Sequence, residues 1–199
     1  MTVTIKPFFD QATYTITYVV SDPNTAHAVI IDSVLDYDAN SGRTSTFSAD
    51  RLIKYVSEHD LQIDWILETH AHADHLTAAP YLKEKLGGLT GIGAGIAKVQ
   101  GIFKNVFNCE ESFAVDGSQF DRLFIHGDVV HAGRLVLGIM HTPGHTPACV
   151  TYTVDDAAFV GDTLFMPDFG TARTDFPGGS AETLFQSIRR VLSLPEKTR

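Results

Sequence analysis

Three imidazoles and a carboxylate fall within six consecutive positions of this chain, in the run Thr69-His70-Ala71-His72-Ala73-Asp74-His75. The run follows an apolar stretch, Trp65-Ile66-Leu67, which delivers it at the edge of a core. Buried neutral imidazoles need hydrogen-bond partners, and buried carboxylates need cations. One metal ion satisfies all four groups together, so the pattern H-x-H-x-D-H reads as a metal-binding motif.

Two later stretches supply what such a site still needs. His141-Thr142-Pro143-Gly144-His145-Thr146-Pro147 reads as a loop in which rigid prolines and a permissive glycine surround His145. A loop of that kind holds a side chain still, as a ligand requires. Phe159-Val160-Gly161-Asp162-Thr163 puts a carboxylate at the end of an apolar strand. Alone, Asp162 would read as a turn cap; beside the first motif it reads as a ligand. His27, His59, His126 and His131 show no ligand spacing and read as ordinary surface or core residues. His141 reads the same way, with lining the cleft as its alternative. Gly91-Ile92-Gly93-Ala94-Gly95 lacks the Lys-Ser/Thr of a phosphate loop and reads as a backbone turn near the cleft.

The elements that position these residues follow from periodicity and punctuation. Residues 3–9, 13–20 and 27–34 are rich in β-branched and aromatic types and read as strands, with a turn at Asp22-Pro23-Asn24. Residues 36–45 are polar and read as a loop. Ser48 then caps a helix with Arg51, Leu52, Tyr55 and Val56 at helical spacing. Residues 63–68 form a short buried strand, and 76–86 a helix stopped by Gly87-Gly88. A helix over about 96–107, β structure within 112–165 and an amphipathic helix over 181–192 complete the chain. Strands and helices alternate in both halves, which predicts an α/β layered domain of two sheets covered by helices. The last helix runs into a polar turn, Leu194-Pro195-Glu196, that normally feeds another element; the expectation is one domain over 1–199 with a further C-terminal strand beyond it.

Composition sets the outer bounds. The chain has 199 residues, 44% of them hydrophobic, enough for a real core. Its formal charge of −9 opposes a nucleic-acid surface, which needs Lys and Arg to neutralise phosphates. There is no run of eighteen apolar residues, so no membrane partner is expected. The N-terminus alternates like a strand and lacks signal-peptide regions, which makes the cytoplasm the expected location. Cys109 and Cys149 form neither a C-x-x-C motif nor a disulfide framework and read as two buried reduced thiols. A homo-oligomer is compatible with all of this.

Taken in order, the H-x-H-x-D-H run, the histidine of Pro143-Gly144-His145-Thr146 and the aspartate of Gly161-Asp162 resemble the metallo-β-lactamase superfamily over nearly the whole chain. That resemblance implies an αβ/βα sandwich, two mixed sheets flanked by helices, with the metal in a cleft at one sheet edge. Two branches share the motif set: the persulfide dioxygenases, with one Fe(II), and the hydroxyacylglutathione hydrolases (glyoxalase II), with a dinuclear site. Pro143-Gly144-His145-Thr146-Pro147-Ala148-Cys149-Val150-Thr151 and Gly170-Thr171-Ala172-Arg173-Thr174-Asp175-Phe176 look closer to the dioxygenases. Val34-Leu35-Asp36-Tyr37-Asp38 with Ser41-Gly42-Arg43 resembles the bacterial β-lactamase-like proteins of that type.

The dioxygenase resemblance implies His70, His145 and Asp162 as ligands of a mononuclear Fe(II), an open triad that leaves positions for substrate and O₂. His72, Asp74 and His75 then orient ligands and water. The implied substrates are O₂ and glutathione persulfide or a similar small thiol persulfide, and the products sulfite and thiol. The hydrolase resemblance implies instead one or two Zn(II). His72 completes the first ion's ligands with His70 and His145, Asp74 and His75 bind the second, and Asp162 bridges the two. Dinuclear members carry a further histidine on a later strand; the three-ligand set is complete without it. Arg173 and Asp175 read equally as a substrate-facing pair or a plain structural ion pair. A third reading is a truncated, non-catalytic metal-binding scaffold.

Overall fold

The computed structural model describes residues 3–199. Its elements run β1 (Thr4–Phe9), β2 (Ile16–Ser21), β3 (His27–Ile31), β4 (Val34–Asp38), β5 (Arg43–Ser45), α1 (Phe47–Glu58), β6 (Gln62–Leu67), β7 (Leu76–Thr77), α2 (Ala79–Leu86) and β8 (Leu89–Gly93). There follow α3 (Ile96–Val106), β9 (Arg122–Phe124), β10 (Val129–Ala132), β11 (Leu135–His141), β12 (Val150–Val154), β13 (Ala157–Phe159) and α4 (Ala181–Val191), with a single 3₁₀ turn at Gly161–Thr163. Contacts divide the chain into two units. The first holds the chain through Glu68, His72–Thr90 and His131–Val136; the second holds Thr69–Ala71, Gly91–Val130 and Leu137–Arg199. Among the described residues no helix is long and apolar enough to cross a membrane.

In the first unit β1 pairs antiparallel with β2, and β2 antiparallel with β3. β3 runs parallel to β6, with Ile31 opposite Leu67. Parallel strands are covered on both faces, so they read as unbroken apolar runs. Ala28 to Ile31 and Ile66-Leu67 are accordingly fully buried. α1 and α2 set Leu52, Val56 and Leu82 into one core with Val19, Ala28, Ile30 and Ile66.

Residues 36–45, expected as a loop, form a hairpin of β4 and β5, pairing Asp36 with Ser45 and Asp38 with Arg43. The polar residues that suggested a loop are its turn. Asp38 accepts from the Asn40 N–H (2.9 Å) and the Ser41 hydroxyl (2.8 Å), and Gly42 takes φ +66°. Asp36 then reaches α1, accepting from the Ser48 N–H (2.8 Å) and the Ser48 hydroxyl (2.7 Å). The start of α1 is thus capped from another strand: Ser48 lies inside the first turn, and Thr46 at the cap position makes no side-chain cap bond. The helix expected over 76–86 starts at Ala79, because Leu76 and Thr77 pair with Leu35 and Val34 as β7.

In the second unit β8 and β9 are parallel, with Ile92 opposite Leu123. β11 from Gly138 onward, β12 and β13 pair antiparallel in sequence order, with Met140 opposite Thr151 and Tyr152 opposite Phe159. Ile96 and Val99 of α3 pack with Ile92 and Ala148, and Ala71 and Phe103 close against them. α4 buries Leu184, Ser187 and Val191 along one stripe; its Ser180 cap accepts from the Thr183 N–H at 3.3 Å. Mixed sheets flanked by helices are the architecture expected from the sequence.

Candidate metal centre

His70, His145 and Asp162 converge in the second unit from three separate turns of chain. His70 follows the apolar strand β6, and the neighbouring Thr69 carbonyl accepts from Val150 N–H of β12 at 2.9 Å. Gly161, at φ +49°, brings Asp162 against this segment; a Cβ on Gly161 would meet Thr69 Oγ1 at 2.4 Å. Glycine is therefore required on both counts, conformation and space.

His145 sits on a loop closed by a Thr142 N–H to Cys149 carbonyl bond of 2.9 Å. α4 braces the loop: Ser187 Oγ donates to the Pro143 carbonyl (2.7 Å), and the Ser180 N–H donates to the Gly144 carbonyl (2.8 Å). The 91–95 glycines carry the other side. A Cβ on Gly93 would lie 2.2 Å from the Ala148 carbonyl oxygen, and one on Gly95 2.1 Å from that of Pro147. The stretch expected as a turn is the end of β8 and the start of α3, and its glycines permit this close backbone approach.

His70 and His145 are almost wholly buried, 1% and 4% exposed. Their Nε2 atoms stand 3.6 and 3.5 Å from the same oxygen, Asp162 Oδ2. Those separations are long for hydrogen bonds. They lie just above the roughly 3.0–3.4 Å at which bonds of about 2.1 Å place neighbouring ligand atoms, close enough for a small closure around an ion. The opposite nitrogens are engaged. His145 Nδ1 faces the Arg173 carbonyl at 2.8 Å, and His70 Nδ1 faces Thr69 Oγ1 at 3.0 Å. A ring that donates from Nδ1 to a carbonyl keeps its Nε2 lone pair for a cation. The donor set of two imidazoles and one carboxylate fits a divalent transition metal.

The other motif residues gather in the first unit. Ligand atoms of His72, Asp74 and His75 lie within 4.8 Å of one another, as do those of Asp32, Glu68 and His72. His72 Nε2 is 3.2 Å from Asp32 Oδ1 and 3.2 Å from Glu68 Oε2. Burial opposes charge on this imidazole, but Asp32 and Glu68 outweigh it and hold its pKa well above the ordinary histidine value. Burial raises the pKa of Glu68, against the pull of His72. Burial also works to raise Asp74, yet the His75 ring and the Thr15 hydroxyl (3.0 Å) reverse it and leave the carboxyl well below its usual range. His75 Nδ1 meets Asp74 at 3.2 Å, while its buried Nε2 has no hydrogen-bond partner, an orphaned nitrogen that a cation would satisfy.

Asp32 and Glu68 escaped the sequence reading. The available signal was positional: each is a carboxylate directly after an apolar run, at the C-terminal ends of neighbouring parallel strands, the usual place for functional groups in such sheets. Arg173 and Asp175 form an exposed bidentate ion pair with contacts of 2.6 and 2.7 Å, and Arg173 pulls Asp175 down to about 2. Of this pair, it is the Arg173 backbone carbonyl that reaches His145, and Phe176 packs edge-on against the same ring. His141 Nε2 donates to the Pro147 carbonyl at 3.0 Å, which ties it to the His145 loop. Cys149 is buried and Cys109 half-buried, and neither forms a disulfide.

A family model described as the metallo-beta-lactamase superfamily matches residues 12–199. A probable metallo-hydrolase of Burkholderia pseudomallei is 56% identical over 206 residues, covering 98% of this chain and 70% of the relative. The mitochondrial persulfide dioxygenase of Bos taurus is 32% identical, over 97% of this chain and 65% of that protein. The crystal structure of ETHE1 from Myxococcus xanthus superposes with a TM-score of 0.76 at 33% identity, over 98% of this chain and 72% of that one. Among its first curated relatives the chain spans between 45% and 70% of their length.

Proposed function

The chain belongs to the metallo-β-lactamase superfamily, and within it we propose that it is a mononuclear non-haem Fe(II) persulfide dioxygenase. Its substrate is glutathione persulfide or a similar small persulfide, which with O₂ and water gives thiol and sulfite. The observation that carries this reading is the donor set: two imidazoles and one carboxylate with contacts of 3.5 and 3.6 Å, the ligand type of Fe(II) oxygenases that keep open positions. Likeness to a persulfide dioxygenase over 97% of the chain supports it.

Bound Fe(II) would supply electrons and adjacent open positions for O₂ and an anionic sulfur. The chain supplies the rest. Asp162 brings the single negative charge of the triad. The Arg173 carbonyl and Thr69 hydroxyl fix the two imidazole rings in orientation. The burial of His70 and His145 keeps water from competing for their nitrogens.

A second reading, a metallohydrolase of thioesters such as acylglutathiones, is favoured by the name of the 56%-identical relative and by the His72, Asp74 and His75 group, which offers ligands for another ion. Elemental analysis of anaerobically purified protein, followed by an oxygen electrode, separates the two. One iron per chain, with O₂ uptake and sulfite on adding glutathione persulfide, is the expected result. Two zinc ions per chain with anaerobic thioester cleavage would replace it with the hydrolase.

A further inference from the structure

We propose that the loop between Asp162 and Arg173 is the subsite for the carbon group of the substrate, and that Phe165, Met166 and Phe169 select persulfides carried on an apolar alkyl or aryl group. The inference deepens the dioxygenase reading above and rests on it for the sulfur chemistry.

Of the three proposed ligands, Asp162 is the one that meets solvent: 33% of its side chain is exposed, while His70 and His145 are buried. The chain that leaves Asp162 is pinned at once. Thr163 is buried, and its hydroxyl donates to the Thr142 carbonyl at 3.3 Å. The chain returns at buried Ala172 and at Arg173, whose carbonyl accepts from His145 Nδ1 at 2.8 Å. Both stems of the loop are thus tied to proposed ligands. Phe165 follows Asp162 by three residues, and Arg173 follows Gly170 by three. A chain spans at most about 3.6 Å per residue, so each end of the loop lies within about 11 Å of its stem. A six-carbon group attached through two sulfurs is of comparable length.

The loop between those stems is closed and apolar. The Phe165 N–H donates to the Gly170 carbonyl (2.8 Å), and the Phe169 and Gly170 N–H groups both donate to the Met166 carbonyl (2.8 and 2.9 Å). Pro167 presets the turn, and Gly170, at φ +80°, reverses the chain. This backbone leaves its side chains outside the core: Phe165 is 38% exposed, Met166 71% and Phe169 80%. Exposed apolar groups clustered in this way mark binding surfaces. A thioether and two phenyl rings also suit a sulfur-bearing carbon chain, because sulfur is attracted to aromatic edges.

Charge points the same way. Positions 162–176 contain one cation, Arg173, and Asp175 holds its guanidinium at 2.6 and 2.7 Å. Asp168 adds a negative charge on the loop itself. The segment therefore favours an uncharged carrier over one that bears carboxylates, as glutathione does.

The test has two readouts. In the first, metal-free wild type labelled with ¹³C at its methionine methyls is titrated with hexyl methyl disulfide, a stable relative of the persulfide. The Met166 methyl signal, assigned with Met166→Leu, is expected to shift saturably, and Phe169→Ser is expected to weaken that binding about tenfold. In the second, O₂ uptake of the iron-loaded enzyme is measured with hexyl persulfide, glutathione persulfide and inorganic persulfide, which has no carbon group. Wild type is expected to favour hexyl over glutathione persulfide in kcat/KM. Met166→Ser/Phe169→Ser is expected to raise the KM for hexyl persulfide about tenfold more than that for inorganic persulfide, with kcat changing far less. An unmoved Met166 signal, an unchanged KM, or equal losses with inorganic persulfide would each overturn the subsite. So would a Met166 signal that moves with protein concentration alone, which would assign the loop to a contact between two copies of the chain. Saturable disulfide binding with no O₂ uptake from any persulfide defeats the dioxygenase reading and leaves the apolar subsite standing.

Discussion

Gly161 and Thr69 leave no room between them for one more carbon: a Cβ on Gly161 would lie 2.4 Å from Thr69 Oγ1 and 2.8 Å from Thr69 Cβ. Asp162 and His70, two of the three proposed ligands, each follow one of these two residues. Gly161→Ala is therefore expected to cost stability, about 1–3 kcal/mol from overpacking with left-handed strain added. It should also lower metal affinity, because Asp162 and Thr69 can no longer approach. Thermal melts of the metal-free protein and metal titrations measure the two effects separately; an unchanged affinity would show that this contact does not position the ligand.

Asp162→Ala removes the single carboxylate of the triad and should lose most of the bound metal. His72→Ala should be mild, because its Nε2 faces Asp32 and Glu68. Metal content after desalting reads both. Equal losses at His70 and His72 would favour the dinuclear hydrolase arrangement.

Metal binding should raise the melting temperature, since an ion that binds only the folded chain stabilises it by mass action. At a free metal concentration of 100 times the Kd the gain is about 2.7 kcal/mol. A chelator should reverse it, and Asp162→Ala should show little of it. Calorimetry with and without chelator is the measurement.

Asp36→Ala removes both acceptors that hold Ser48 at the start of α1. Losing a helix cap costs about 0.5–2 kcal/mol. Urea denaturation should show that loss with an unchanged slope, and metal content should stay the same, because Asp36 touches none of the three ligands.

The Arg173–Asp175 pair gives a pH dependence of known sign. Arg173 holds Asp175 at about 2 in the folded chain, below its ordinary 3.8. A carboxylate depressed by folding stabilises fully above its unfolded value and loses that contribution as pH falls through the folded one. The stability difference between wild type and Asp175→Asn should thus be present at pH 6 and shrink from about pH 4 toward pH 2. The pair is exposed, so the difference should also fall with added salt. Chemical denaturation across that pH range checks it.

The convergence of His70, His145 and Asp162 was readable in the sequence because each stands beside a device with its own signature: an apolar strand end, a proline–glycine loop, a glycine before the aspartate. The alternation of strands and helices was readable for the same reason, since burial imposes a period. Asp32 and Glu68 were not. Each follows an apolar run, but their meeting at His72 depends on β3 and β6 lying side by side, a long-range pairing that the local sequence does not specify. The hairpin of β4 and β5 was hidden because a tight turn and an unstructured loop use the same polar residues; only the Asp36↔Ser45 register separates them. The tie between Arg173 and His145 was invisible in principle, because it uses a backbone carbonyl that every residue has.

Thr69–Ala71 groups with the second unit while the chain on both sides of it groups with the first. A protease or a gene fragment that separated residues 91–199 would therefore keep His145 and Asp162 and leave His70 behind. Of the three proposed ligands two would survive the cut, and a grip that needs all three would not.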